Sequence, residues 1–212
     1  MKYDSILFDL DGTLWDSTIG VQKTWELLSE ELSLPVPTLE ALAGIMGLSP
    51  ADVMKKLFPE LSKERGLEIF HEFAKAEAEY LSKNGGTLYP QIINLLETLS
   101  KEYPLFIVSN CESGYIESFL HSHSTQQYFT DWECIGETGK NKTENILLIV
   151  ERNNLKKPVY VGDTLWDMKA AGGAGVPFIH AAYGFGEVDS NIPKISNPME
   201  LINLLENIAE ET

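Results

Sequence analysis

Apolar residues change their spacing several times along the chain, and the changes mark out its elements. Ile6-Leu7-Phe8 is a short, continuous apolar run that passes straight into Asp9, Leu10 and Asp11 and a Gly12-Thr13 turn. A bulky run of this length suits a strand buried on both faces of a parallel sheet. From about Ser17 to Leu32 the period becomes helical, carried by Ile19, Trp25, Leu27, Leu28 and Leu32. Pro35-Val36-Pro37 interrupts it, and a short helix is predicted from Thr38 to about Ile45, with residues 44–47 as a loop. A second short helix should run from Ser49 through Leu57, Pro50 lying in its first turn. A long helix from about Ser62 to Lys83 then ends at Gly85-Gly86. No strand pattern occurs between about Asp16 and Thr87, so this block reads as a helical module inserted after the first strand.

From Pro90 onward strands and helices alternate. Helices are predicted from Pro90 to about Lys101, Gly114 to His121, Thr143 to about Asn153, Trp166 to Ala174 and Met199 to about Ile208. The strands between them are Leu105–Val108, a weaker Trp132–Ile135, Pro158–Val161 and Pro177–His180. Such alternation implies an α/β fold, a parallel sheet with helices on both faces.

Composition narrows the function. The chain has 212 residues, 43% of them hydrophobic, enough for its own core without disulfides. Cys111 and Cys134 show no metal-ligand spacing. The opening Met-Lys-Tyr-Asp leaves no room for a signal peptide before the first strand, and no apolar run approaches a membrane span. A cytoplasmic protein is therefore expected. A net charge of -16 argues against nucleic acid and would repel an anionic substrate. Such a substrate would need locally placed cations.

The strand readings set Asp9, Ser109 and Asp163 at or just past the carboxyl ends of three strands, the edge where open α/β sheets bind ligands. Asp9 and Asp11 share side-chain parity and can converge beyond their strand. The competing reading makes Asp11-Gly12 an ordinary turn. Asp167 follows Asp163 by four residues at a loop-to-helix junction. Here the competing reading is a helix N-cap at Asp163 or Thr164, with Asp167 favouring the dipole. Four acids near one edge would repel unless a hard divalent cation sat among them.

In order, Asp9-Leu10-Asp11-Gly12-Thr13, Val108-Ser109-Asn110, Lys142 before a helix, and Gly162-Asp163-Thr164-Leu165-Trp166-Asp167 resemble the four motifs of the haloacid dehalogenase-like hydrolase superfamily. Phosphoglycolate-phosphatase-like and β-phosphoglucomutase-like members are most similar in layout. The resemblance implies a Rossmann-like core of residues 1–15 and 88–212, with residues 16–87 as a small helical C1 cap. It implies Asp9 as the nucleophile that becomes an aspartyl phosphate, and Asp11 as general acid and then base. Ser109 and the Asn110 N–H would hold phosphoryl oxygens, and Lys142 would neutralise their charge. Mg²⁺ would be held by Asp9, the Asp11 backbone carbonyl and Asp163, with Asp167 acting through water or in support. The resemblance also prefers Lys142 to Lys140, because members of this layout often place the lysine four residues before an apolar helix residue, here Ile146.

The implied activity is Mg²⁺-dependent hydrolysis of a small phosphorylated metabolite, and a monomer is expected. A phosphomutase would use the same residues, and a phosphate-binding regulatory protein without turnover is the alternative of another class. Asp11 disfavours a dehalogenase, whose branch needs no acid there. By the same resemblance, the 44–48 loop would dip toward Asp9 and select substrates, against the alternative of a plain interhelix turn. Tyr183-Gly184-Phe185-Gly186 would line only the rim of the site. His121 and His123 read as surface residues, Cys111 as packing, and Trp15, Asp16 and Ser17 as hinge or packing positions.

Overall fold

The computed structural model describes residues 3–188 and 191–210. Met1 and Lys2, part of the opening read above as leaving no room for a signal peptide, lie outside them. The chain begins with β1 (Ser5–Phe8) and a two-residue β2 (Trp15–Asp16). Four helices follow: α1 (Thr18–Leu32), α2 (Leu39–Ala43), α3 (Pro50–Leu57) and α4 (Lys63–Asn84). Next come β3 (Thr87–Leu88), α5 (Ile92–Leu99), β4 (Leu105–Ser109), α6 (Tyr115–Ser122) and β5 (Phe129–Cys134). Then α7 (Ile135–Thr138), α8 (Lys142–Arg152), β6 (Pro158–Gly162), α9 (Leu165–Gly173) and β7 (Phe178–Ala181) are followed by β8 (Lys194–Ile195) and α10 (Glu200–Glu210).

Six strands form one parallel sheet in the order β5-β4-β1-β6-β7-β8. The chain builds outward from β1 to β4 and β5, then crosses back to place β6 on the other side of β1. That reversal opens a crevice at the carboxyl end of β1, where doubly wound sheets bind ligands. The predicted burial on both faces is met by strict alternation. Ile6, Phe8, Leu105, Ile107, Val159 and Val161 face one apolar cluster, while Leu7, Phe106, Val108 and Tyr160 face the other.

The helical insertion has an apolar cluster of its own, in which Trp25 stacks on Phe73 at 4.2 Å between centroids. Its helices start where short polar side chains can cap them. Thr38, Ser49 and Ser62 accept hydrogen bonds from the N–H groups of Ala41, Asp52 and Arg65, satisfying donors that the first turn leaves free. The strand-free reading of this stretch misses its edges. β2 and β3 pair antiparallel, Trp15 with Leu88 and Asp16 with Thr87, and so close the neck of the insertion. Two-residue strands are too short to show a period. β5 also starts earlier than Trp132, because as an edge strand it leaves Thr130 exposed and lacks a continuous apolar run. No helix among the described residues is long and apolar enough to cross a membrane.

Candidate active site

Each strand that borders the crevice ends in an oxygen-bearing side chain. Asp9 follows Phe8 with its backbone N–H donating to Val161 O at 2.8 Å, so the strand pairing itself fixes where its carboxylate begins. Ser109 is the last residue of β4, and Asp163 follows Gly162 at the end of β6. All three side chains are buried.

Carboxylate oxygens of Asp9, Asp163 and Asp167 lie within 4.8 Å of one another. Lys142, the first residue of α8, reaches into this group. Its Nζ donates to Asp9 Oδ1 at 2.6 Å and to Asp167 Oδ1 at 2.5 Å, with only 4% of the side chain exposed. Asn141 and Glu144 form a capping box that fixes the start of α8, and with it the position of Lys142. Lys140, the alternative lysine, is exposed.

Asp167 meets both readings offered by the sequence. Its Oδ2 accepts from the Thr164 N–H at 2.9 Å and the Thr164 hydroxyl at 2.6 Å, which closes a capping box at the start of α9. Its other oxygen faces Lys142, so both are engaged. Asp163 differs. Its Oδ2 accepts from the Phe185 N–H at 2.7 Å, while its buried Oδ1 has no hydrogen-bond partner among the described residues.

Three buried carboxylates share the site with one ammonium, and this shifts the proton affinities of Asp9, Asp163 and Lys142. Burial, then the charge of Asp167, outweighs Lys142 and pushes Asp9 up to about 7. Burial, then Asp9 and Asp167, pushes Asp163 up to about 8. Burial opposes the charge on Lys142, but Asp167 and Asp9 hold it well above its ordinary value. An unsatisfied buried oxygen within an all-oxygen group, with more negative than positive charge, fits a hard divalent cation.

Asp11 turns to a different set of partners. Its Oδ1 accepts from the Ser17 hydroxyl at 2.6 Å and the Tyr115 hydroxyl at 2.9 Å, and Tyr115 also donates to Ser17 Oγ at 2.8 Å. Burial raises its carboxyl above the usual range although both hydroxyls pull it down. Ser17, read as a hinge or packing residue, is therefore a direct hydrogen-bond partner of Asp11. Tyr115 escaped the sequence reading because it lies 104 positions away, on α6. Tyr183-Gly184-Phe185-Gly186 is more than a rim: Phe185 grips Asp163, and the Tyr183 hydroxyl donates to Thr13 O at 2.8 Å. The loop passes so near that a Cβ on Gly184 would collide with Gly12 O and the Asp163 side chain.

The 44–48 loop reaches the core, where the Asn110 side chain donates to Gly47 O at 2.9 Å. Met46, Gly47 and Leu48 thus stand over the site. His121 is exposed, but His123 is half-buried and packs edge-on against Trp15 at 5.6 Å, so its surface reading is corrected. Its neighbour in that packing, Phe119, comes from one helical turn earlier and could not be read from the two-residue spacing of the histidines.

Comparison with known proteins extends this geometry. The sequence signature of the family described as "Haloacid dehalogenase-like hydrolase" matches residues 6–181. A phosphoglycolate phosphatase of Aquifex aeolicus (strain VF5) is 28% identical over 209 residues, covering 95% of this chain and 96% of that protein. One from Photorhabdus laumondii is 30% identical over 209 residues, covering 92% and 86%. Among solved structures, a haloacid dehalogenase-like family hydrolase from Streptococcus pneumoniae superposes with a TM-score of 0.81 at 25% identity, covering 96% of this chain and 99% of that one.

Proposed function

The chain belongs to the haloacid dehalogenase-like hydrolase family and is a phosphatase; on that footing we propose that it hydrolyses a small phosphomonoester through an aspartyl phosphate on Asp9, with Mg²⁺ bound alongside. The observation that carries the reading is the Asp9 carboxylate, held by Lys142 at 2.6 Å inside a group of buried acids, with Asp11 tethered separately by two hydroxyls. A two-step displacement needs that division between a nucleophile and a proton carrier.

In the first step an Asp9 oxygen bonds to phosphorus and the bond to the leaving oxygen breaks. Asp11 gives its proton to that oxygen, and the alcohol departs. The raised affinity of Asp11 for a proton supports this role as acid. In the second step Asp11 takes a proton from water as the water oxygen bonds to phosphorus, which frees Asp9 and releases inorganic phosphate. Ser109 and the backbone N–H of Asn110 would hold the phosphoryl oxygens. Lys142 cancels part of the charge that Asp9 and the phosphoryl group share, as a fixed cation does in phosphoryl transfer. Asp9, Asp163 and the Asp11 backbone carbonyl would hold Mg²⁺, which would supply further charge neutralisation, while Asp167, already engaged by Lys142 and Thr164, would support the group.

In this reading residues 16–87 form a cap whose 44–48 loop shelters the phosphoryl group, and residues 1–15 and 88–212 form the catalytic core. The test is chemical trapping. Brief turnover of acetyl phosphate with Mg²⁺, then borohydride reduction, should convert Asp9 to homoserine, detectable by peptide mass spectrometry. Asp9→Asn should lose at least about a thousandfold in kcat. Turnover that persists in Asp9→Asn overturns the reading.

A further inference from the structure

Between the helical insertion and the core lies a small cavity of about 70 Å³ with Asp11 in its wall. Under the reading above, the group beside the general acid is the leaving alcohol, so this cavity selects the substrate. Its lining is unusual. Trp25, Phe70, Phe73 and Tyr115 line it, together with Asp11 and Glu77. Glu112 adds a third acid at its border, where it meets the outward-facing His71 at 3.6 Å. No lysine, arginine or histidine lines the cavity among the described residues.

Glu77 calls for the most explanation. It lies on α4 one turn after Phe73 and one turn before Leu81, within the apolar face of that helix, and only 8% of it is exposed. Its carboxyl makes no hydrogen bond or ion pair with any described residue. A carboxyl largely cut off from water and without a protein partner is costly, although the Glu77 oxygens still meet the solvent in the cavity. Burial, and then the charge of Asp11, push its carboxyl well above the usual range. A cation entering the cavity would relieve that cost, while an anion would add to it. Aromatic faces attract a cation as well.

We propose that Glu77 and the surrounding rings recognise a short primary ammonium, so that the substrate is the phosphate ester of a small amino alcohol. This rests on the phosphatase reading and deepens it. Asp9 displaces the amino alcohol from phosphorus as Asp11 protonates its oxygen, and water then releases inorganic phosphate from Asp9. A space of about 70 Å³ admits an aminoethyl group. Phosphoglycolate, for which the Aquifex and Photorhabdus relatives are named, presents a carboxylate to this position and would find no cation to meet it.

Three esters of nearly equal size separate the possibilities: 2-aminoethyl phosphate, 2-hydroxyethyl phosphate and phosphoglycolate, assayed with Mg²⁺ against acetyl phosphate as a donor with no side group. The wild-type kcat/KM should fall in that order, about tenfold from amine to hydroxyl and about a hundredfold from amine to carboxylate. Glu77→Gln, which keeps the shape, should lower the amine-to-hydroxyl ratio by about tenfold. A flat series, or one led by phosphoglycolate, overturns the assignment even if Glu77→Gln does not fold, since the wild type alone decides it. If acetyl phosphate and all three esters remain intact, the phosphatase reading falls and this inference with it.

Discussion

Replacing Lys142 with methionine removes the ammonium while keeping most of its aliphatic volume, so the effect isolates charge. In the native chain Nζ bridges Asp9 and Asp167 at 2.6 and 2.5 Å, and those carboxylates are 2% and 0% exposed. Removing one partner of a buried ion pair costs about 3–5 kcal/mol, because the other is left uncompensated. For a chain of this size each kcal/mol moves the melting temperature by about 2–4 °C, so the variant should melt roughly 6–20 °C below wild type at pH 8 without metal. The pH dependence has a definite sign. Even with Lys142 beside it Asp9 stands at about 7, and losing the ammonium takes it higher. A carboxyl raised on folding stabilises fully below its unfolded value near 4 and loses that stabilisation as pH rises through its folded value. The deficit should therefore be largest at pH 8 and shrink toward pH 5. Calorimetry across that range, with the exposed Lys140→Met as control, checks it. A melting temperature within about 2 °C of wild type at pH 8, or a deficit that grows on acidification, would refute the reasoning.

Metal-free wild type should itself lose stability between pH 5 and pH 9 as Asp9, at about 7, and Asp163, at about 8, are forced to ionise; urea melts at stepped pH measure the slope. Mg²⁺ at about a hundred times its Kd should add about 2.7 kcal/mol, and Asp163→Asn should abolish that gain in thermal melts while stabilising the metal-free protein at pH 9. Removing either hydroxyl that holds Asp11, as in Ser17→Ala or Tyr115→Phe, takes away a hydrogen bond that lowers its carboxyl, so the pH–rate optimum should move upward. An unmoved optimum in both variants shows that these hydroxyls do not tune Asp11. Gly12→Ala forces a side chain onto a φ of +83° and into the Asp163 carboxylate; it should cost at least about 1–3 kcal/mol in denaturant melts.

The features legible in the sequence were those written within a few adjacent residues. Ile6-Leu7-Phe8 and Leu105-Phe106-Ile107-Val108 show both-faced burial because every position along a central parallel strand meets a helix layer. Asp9, Ser109 and Asp163 stand out because each follows such a run directly. Lys142 is preferred to Lys140 only through the family resemblance, and the helix start at Asn141 then sets the direction of its side chain. Two-residue strands such as β2, β3 and β8 carry no period, and the edge strand β5 mixes exposed with buried positions, so these elements were missed or shortened. Glu77 left one local sign, an acid within the apolar face of α4. That sign does not say what the acid faces.

Local order along the chain determined which residues end strands and which cap helices, because burial and capping act over single turns and pleats. Only the tertiary structure decided the partners: Tyr115 and Ser17 on Asp11, Phe185 on Asp163, Gly47 on Asn110, and Glu77 among aromatic rings. Each of these meetings depends on how separate elements pack, and a side chain's chemistry depends on the charges and surfaces that packing sets around it.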